Sequence, residues 1–169
     1  MPVYTSYFKP EEYGTYLIIL TLYSLIQSLS SAWLGSATIR FNEKYILQSE
    51  GDKFYNTVIL FSAIVCVLLS LLTLFLSLFI SKDYDKEFLS MIYLLPVFSF
   101  FTTQLELHLQ FLRAERNIKK YNIFFIAKVL FVPILVITFH IFSQSVVTIL
   151  ISGILTNSLL LIFLYRRKI

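Results

Sequence analysis

Two charged side chains and two polar stripes stand where an otherwise apolar chain has no ordinary use for them. Glu106 lies within SFFTTQLELHLQFLR and Lys128 within FFIAKVLFV. An ionised group so placed costs roughly 3 kcal/mol in hydrocarbon unless it is paired, protonated or wet, so each marks a partner or a pathway. Ser99, Thr103, Gln110 and Arg113 recur with Glu106 at steps of three and four, a spacing that gathers them on one helical face. A second stripe, Thr21, Ser24, Gln27, Ser28, Ser31, Gly35 and Thr38, recurs in the same way and runs on to Arg40. An amide such as Gln27 is costly in hydrocarbon, so this face is expected to meet other helices or a wet transport cavity. Gln104 and His108 share a face roughly opposite Glu106, where the imidazole either relays protons or hydrogen-bonds to a neighbouring helix or the headgroup zone. The single cysteine, Cys66, sits in an apolar run without the company of a metal site and reads as a small packing residue. His140 stands apart and reads as interfacial. No acid, base and nucleophile gather, so neither an enzyme's constellation nor a metal centre is expected. Without a Gly-rich phosphate loop, no nucleotide or other cofactor is expected either.

The elements that must position these residues are membrane helices. The 169 residues are 57% hydrophobic and 14% charged, which excludes a disordered or collagen-like chain and leaves too little polar surface for a soluble domain. Five apolar segments follow one another at 14–38, 55–80, 88–112, 121–141 and 145–165, each of about the 20 residues that cross a bilayer core. Short connections make successive helices antiparallel neighbours. The expected fold class is all-α, a polytopic membrane helical bundle forming a single domain over 1–169 and read outward from the polar-striped first span. The opening MPVYTSYFKPEE has neither the n-region nor the h-region of a signal peptide, so targeting falls to that first span.

Charge predicts the orientation. Arg40, Lys44, Lys53, Arg113, Arg116, Lys119, Lys120, Arg166, Arg167 and Lys168 fall on one side, against Lys9, Lys82 and Lys86 on the other. By the positive-inside rule the first side is cytoplasmic, with the N-terminus outside and the C-terminus inside. The net charge of +4 then follows membrane topology rather than nucleic acid, for which no motif is present. Tyr13, Tyr16, Tyr45, Tyr55, Tyr84, Tyr93, Tyr121 and Tyr165 cluster near the proposed borders, as interfacial anchors do.

If the turn between the third and fourth spans centres near residue 117, Glu106 and Lys128 stand equally far from it. Both then lie on the order of 10 Å below the cytoplasmic boundary. Three readings stand: they pair across the hairpin, or Lys128 snorkels while Glu106 is neutral or wet, or each serves a cavity separately. Ser62, Cys66, Ser70, Thr73 and Ser77 on the second span form a stripe suited to close helix packing. On the fifth span Thr148, Ser152 and Thr156 recur at steps of four with Gly153 and Asn157 beside them, and Asn157 is expected to find a partner on another helix.

FKPEEYGTY before the first stripe, ATIRFNEKY after it, GDKFYNTV opening the second span and FLRAERNIKKYNIF at the third turn resemble the bacterial polysaccharide-export flippases. These include the O-antigen and other lipid-linked oligosaccharide flippases of the multidrug/oligosaccharidyl-lipid/polysaccharide superfamily. The likeness covers nearly the whole chain as a pattern of spans and loops. In that family two six-helix bundles face one another around a central cavity that opens alternately inward and outward. The resemblance implies that the five spans match the family's second to sixth helices, so that the chain is an N-terminal-bundle fragment lacking the first helix and the C-terminal bundle. It implies movement of polyprenyl-pyrophosphate-linked oligosaccharide across the bacterial cytoplasmic membrane for lipopolysaccharide or capsule biosynthesis. The partners implied are the bilayer, the lipid-linked oligosaccharide and a polysaccharide polymerase or glycosyltransferases, with no nucleic acid.

The same resemblance implies substrate-cavity candidates. The family places a basic residue near the cytoplasmic end of its second helix, and Arg40 in IRFN stands there. Arg40, and Arg113 similarly placed, would offer charge-assisted hydrogen bonds to phosphate oxygens, or serve only as topology-setting loop charges. Gln27, Ser28 and Ser31 would replace water around the sugars, and Glu106 and Lys128 complete the set. Two alternatives remain open: a cation-coupled multidrug exporter of the same superfamily, which shallow Glu106 serves poorly, and a non-transporting membrane subunit of a polysaccharide assembly complex.

Overall fold

The computed structural model describes residues 10–80, 86–142 and 145–166. Lys9, Lys82, Tyr84, Arg167 and Lys168 lie outside the described residues, as do the side chains of His140 and Arg166. α1 (Pro10–Gln27) leads through a π-helical turn (Ser28–Ala32) into α2 (Trp33–Leu47); α3 (Gly51–Ile80), α4 (Lys86–Ala114), α5 (Ile118–Phe142) and α6 (Val147–Arg166) follow. α1, the π turn and α2 form one continuous span. Among the described residues five helices are therefore long and apolar enough to cross a membrane, Tyr13–Leu47, Gly51–Leu78, Lys86–Ala114, Ile118–Phe139 and Val147–Tyr165. They are the five expected spans, and the protein is an all-helical, multi-pass membrane protein.

The hub is α4 rather than the polar-striped first span. It packs against every other span, and residues on all its sides are buried, among them Met91, Leu95, Leu105, Leu107 and Leu109. Flanking it are two hairpins, one of α1, α2 and α3, the other of α5 and α6. Among the described residues the helices of the two hairpins meet α4 but do not approach one another backbone to backbone.

At the end away from the basic turns one apolar core draws on all five spans, through Ile19, Ile26, Cys66, Leu95, Val136 and Leu150. Towards the basic end that core divides. Leu34, Val58, Leu107 and Phe111 pack α4 against the first hairpin, while Leu105, Leu109, Phe124, Leu160 and Leu161 pack it against the second. The bundle is closed at one end and parted along both sides of α4 at the other.

Small residues let the helices approach. Ser99 of α4 meets Ser70 Oγ of α3 at 3.1 Å and Cys66 Sγ at 3.7 Å, and Gln104 Nε2 donates to Ser62 Oγ at 3.1 Å. Asn157 of α6 finds the partner its sequence position required, its Nδ2 donating to Thr102 Oγ1 at 2.8 Å. A Cβ built on Gly153 would lie 2.5 Å from Phe98 Cε2, so any larger residue there would force the Phe98 ring to move. Polar contacts between membrane helices are worth about 0.6 kcal/mol each, because the unpacked helices find other partners. Their main effect is to set which faces meet.

Both turns at the basic end are built alike. Ser49 and Arg116 take positive φ, 60° and 57°. The next amide in each, Glu50 N–H and Asn117 N–H, donates back to Tyr45 O and Leu112 O at 2.9 Å. This closes a Schellman motif that satisfies carbonyls otherwise orphaned at a helix end. The third turn thus centres beside residue 117, as the position of Glu106 and Lys128 required.

Candidate functional site

The polar stripe of α4 splits at the point where the core divides. Ser99 and Thr103 are buried within the packed half. Glu106, Gln110 and Arg113 instead stand in the parting between α2 and α5. Lys128 Nζ of α5 donates to Glu106 Oε1 and closes an ion pair across the hairpin. The two side chains keep 20% (Lys128) and 30% (Glu106) of their surface accessible, so the pair sits on the edge of the parting rather than sealed in the core. About two turns further on, Arg113 Nη1 donates to Gln110 Oε1 at 3.4 Å, and its guanidinium lies 5.5 Å from the ring centroid of Tyr121 on α5. Across the parting, Gly35 of α2 leaves room for Gln110, whose Cγ would lie 3.1 Å from a Cβ at that position.

The stripe of the first span does not face the bundle along its whole length. Thr21, Ser24 and Ser28 are exposed, and their hydroxyls return to carbonyls of their own helix, Leu17, Thr21 and Ser24, at 2.7–2.9 Å. Ser31, Gly35 and Thr38 are buried. The π turn at Ser28–Ala32 explains the change, because it holds one more residue per turn and slips the stripe by about 100°, one helical position. Within this chain, then, only the basic half of that face packs against other helices.

Of the expected site residues the structure pairs Glu106 with Lys128 and places Arg113 further along the same face of α4, while Ser31 is buried and Gln27 half-buried on the first span. Ser28 is exposed instead. Arg40 is exposed as well, two residues and hence about 200° from both buried Thr38 and buried Asn42, with its guanidinium 5.5 Å from the ring of Phe41. Within this chain it points away from the parting. Tyr121, read from sequence only as a border tyrosine, is an added member of the site. Its closeness to Arg113 depends on the tight turn, which spacing alone does not reveal.

His108 lies on the other side of α4. Its Nδ1–H donates to Gln104 O at 2.7 Å, which leaves Nε2 to accept from the Tyr55 hydroxyl of α3 at 2.7 Å. The hydrogen bond to a neighbouring helix expected of this imidazole is present.

Chemically the parting offers an exchangeable ion pair, an amide and a guanidinium spread over about 10 Å of α4. An edge-exposed ammonium can trade its carboxylate for another anion, while the freed carboxylate accepts hydroxyl donors. Among the described residues no group of His, Cys, Asp and Glu is placed to hold a metal ion. Four membrane spans around a fifth, buried one, with a polar parting at the basic end, define a polytopic membrane protein whose polar chemistry lies between its helices. The family model of polysaccharide biosynthesis proteins matches residues 7–168, and the chain belongs to that family. Membership bears out the resemblance carried by the loop motifs, and such families are typically transporters rather than enzymes. No curated protein and no solved structure shows significant similarity to the chain.

Proposed function

We propose that this protein is a flippase that moves polyprenyl-pyrophosphate-linked oligosaccharide units across the bacterial cytoplasmic membrane, with its basic end cytoplasmic and the α2/α5 parting as the headgroup path. Membership of a polysaccharide biosynthesis family supports that substrate class. The observation that carries the path is the edge-exposed Glu106–Lys128 pair beside Gln110 and Arg113. A pyrophosphate crossing a low-dielectric layer needs fixed cationic donors, which Lys128 and Arg113 provide. Those cations themselves need an anion while the path is empty, since an unpaired buried charge is strongly destabilising. Glu106 meets that need for Lys128, and once phosphate takes its place the carboxylate is free to accept sugar hydroxyls, with Gln27 and Ser31 across the parting. In this reading the parting faces a second helical bundle, and the oligosaccharide passes on to a polymerase or glycosyltransferase.

The test is transfer in vesicles. With a fluorescent lipid-linked oligosaccharide in both leaflets and a membrane-impermeant quencher outside, vesicles holding the protein should lose signal beyond the outer-leaflet fraction as inner lipid crosses. Vesicles that hold the protein and behave as protein-free ones would exclude the flippase reading.

A further inference from the structure

The hairpins also part on the other side of α4, between α3 and α6, and there three cavities adjoin end to end. At the basic end a cavity of ≈ 100 Å³ is lined by Tyr55, His108, Glu115, Lys120 and Tyr165, among others. Tyr165 is also a wall of the next, a trough of ≈ 620 Å³ that runs between Ile59 and Ala63 of α3 and Leu161 and Ile162 of α6, floored by Phe100 and Phe101 of α4. Phe100 and Phe101 in turn line a third space of ≈ 290 Å³ beside Pro96, with Val67 and Leu71 as its wall on α3.

The two ends differ in chemistry. The mouth at the basic end carries the Lys120 ammonium, the Tyr55 and Tyr165 hydroxyls and the His108 imidazole, with Glu115 on the same rim. Beyond Gln104 and Asn56 the walls are mostly aliphatic and aromatic. Such a sequence of surfaces fits an amphiphile with an anionic head beside Lys120, away from Glu115, and a long hydrocarbon tail. Length narrows the choice. From Tyr55 to Leu71 the wall on α3 covers about 24 Å of helix, whereas half of the ≈ 30 Å bilayer core is about 15 Å. An ordinary acyl chain anchored at the mouth ends near the midplane, short of Pro96. A chain several isoprene units longer fills the whole run.

We infer that the α3/α6 trough holds the tail of a long-chain polyprenyl phosphate, with its phosphate at the Lys120 mouth. This rests on the flippase reading for the supply of such a lipid, but the trough is separated by α4 from the headgroup path.

The probe is a long-chain polyprenyl phosphate carrying a diazirine at its ω end, present in trace amount in phosphatidylethanolamine/phosphatidylglycerol vesicles with the full chain, irradiated and mapped by mass spectrometry. Adducts should concentrate in 67–71 and 96–101. They should fall about tenfold, the factor given by a modest loss of affinity, when excess unlabelled polyprenyl phosphate is added. Ala63→Trp, which blocks the trough from α3, should give the same fall, and Ile162→Trp gives an independent block from α6 should the first variant fail to fold. Adducts at the α2/α5 parting would overturn the trough and leave the flippase reading standing. Adducts scattered over outward residues such as Leu130 and Ile134 would also overturn it. So would equal labelling of the trough by a phosphatidylglycerol tagged at its acyl terminus, which would make the occupant ordinary bilayer lipid. Trough adducts without transfer in vesicles would retain the trough and reject the flippase.

Discussion

Glu106 and Lys128 hold each other's charge in a layer that offers little other solvation. Glu106→Ala and Lys128→Ala should each cost on the order of 2 kcal/mol, because the remaining charge loses its partner but keeps some access to water. Thermal unfolding in detergent should therefore show a lowered midpoint for each, and Glu106→Lys combined with Lys128→Glu should recover most of it. A swapped protein no more stable than the single variants would mean that the two residues do not depend on one another. Arg40 leads to the opposite expectation. Exposed and stacked only on Phe41, it should tolerate Arg40→Ala within about 0.5 kcal/mol. Arg113→Ala should slow transfer more than Arg40→Ala does, and the reverse order in the vesicle assay would move the headgroup path away from the parting. The pair was legible in the sequence because a tight antiparallel turn places residues equidistant from its centre at one depth. The direction of Arg40 was not legible, since it depends on which neighbour covers each face of α2.

At the scale of elements, spans and turns answer to different physics. The five spans could be read to within a few residues of most ends because length and apolar content alone decide whether a helix crosses a bilayer. The π turn at Ser28–Ala32 could not, and it is what rotates the first stripe out of register. Its segment is rich in serine, and Ser31 Oγ returns to Gln27 O at 3.2 Å, the kind of local bond that competes with regular helix. In the first Schellman turn Ser49 occupies a left-handed position without being glycine. Ser49→Gly should relieve about 1 kcal/mol of that cost and raise the unfolding midpoint. Gly153→Ala should do the reverse, by about 1–3 kcal/mol, since Phe98 has to move from its 5.0 Å edge contact with Tyr23. Gly14→Ala, with open space around it, is the neutral control. An unchanged midpoint in Gly153→Ala would show that α4 and α6 can separate freely.

For the molecule as a whole, the hub position of α4 was the least legible feature. Lipid and protein are both apolar surroundings, so hydrophobicity does not say which of the two a helix face meets. Only the polar content of the third span pointed inward, through Thr102, Thr103, Gln104 and His108, all of which are buried. Orientation rests on charge and has a direct check. With Cys66 fully buried and thus silent, Ser49→Cys should react with a membrane-impermeant maleimide in cells only after permeabilisation; reaction in intact cells would invert the topology. The division of the core at the basic end, with an exchangeable ion pair in one parting and a lipid-sized trough in the other, is what ties the fold to the proposed transport. The most direct measurement is oligosaccharide-lipid transfer by Glu106→Gln/Lys128→Gln, which removes both charges while leaving two side chains able to hydrogen-bond. The account predicts a folded protein with transfer lowered by at least about tenfold. A folded double variant that transfers as the wild type does would contradict the claim that this pair lies on the path of the headgroup.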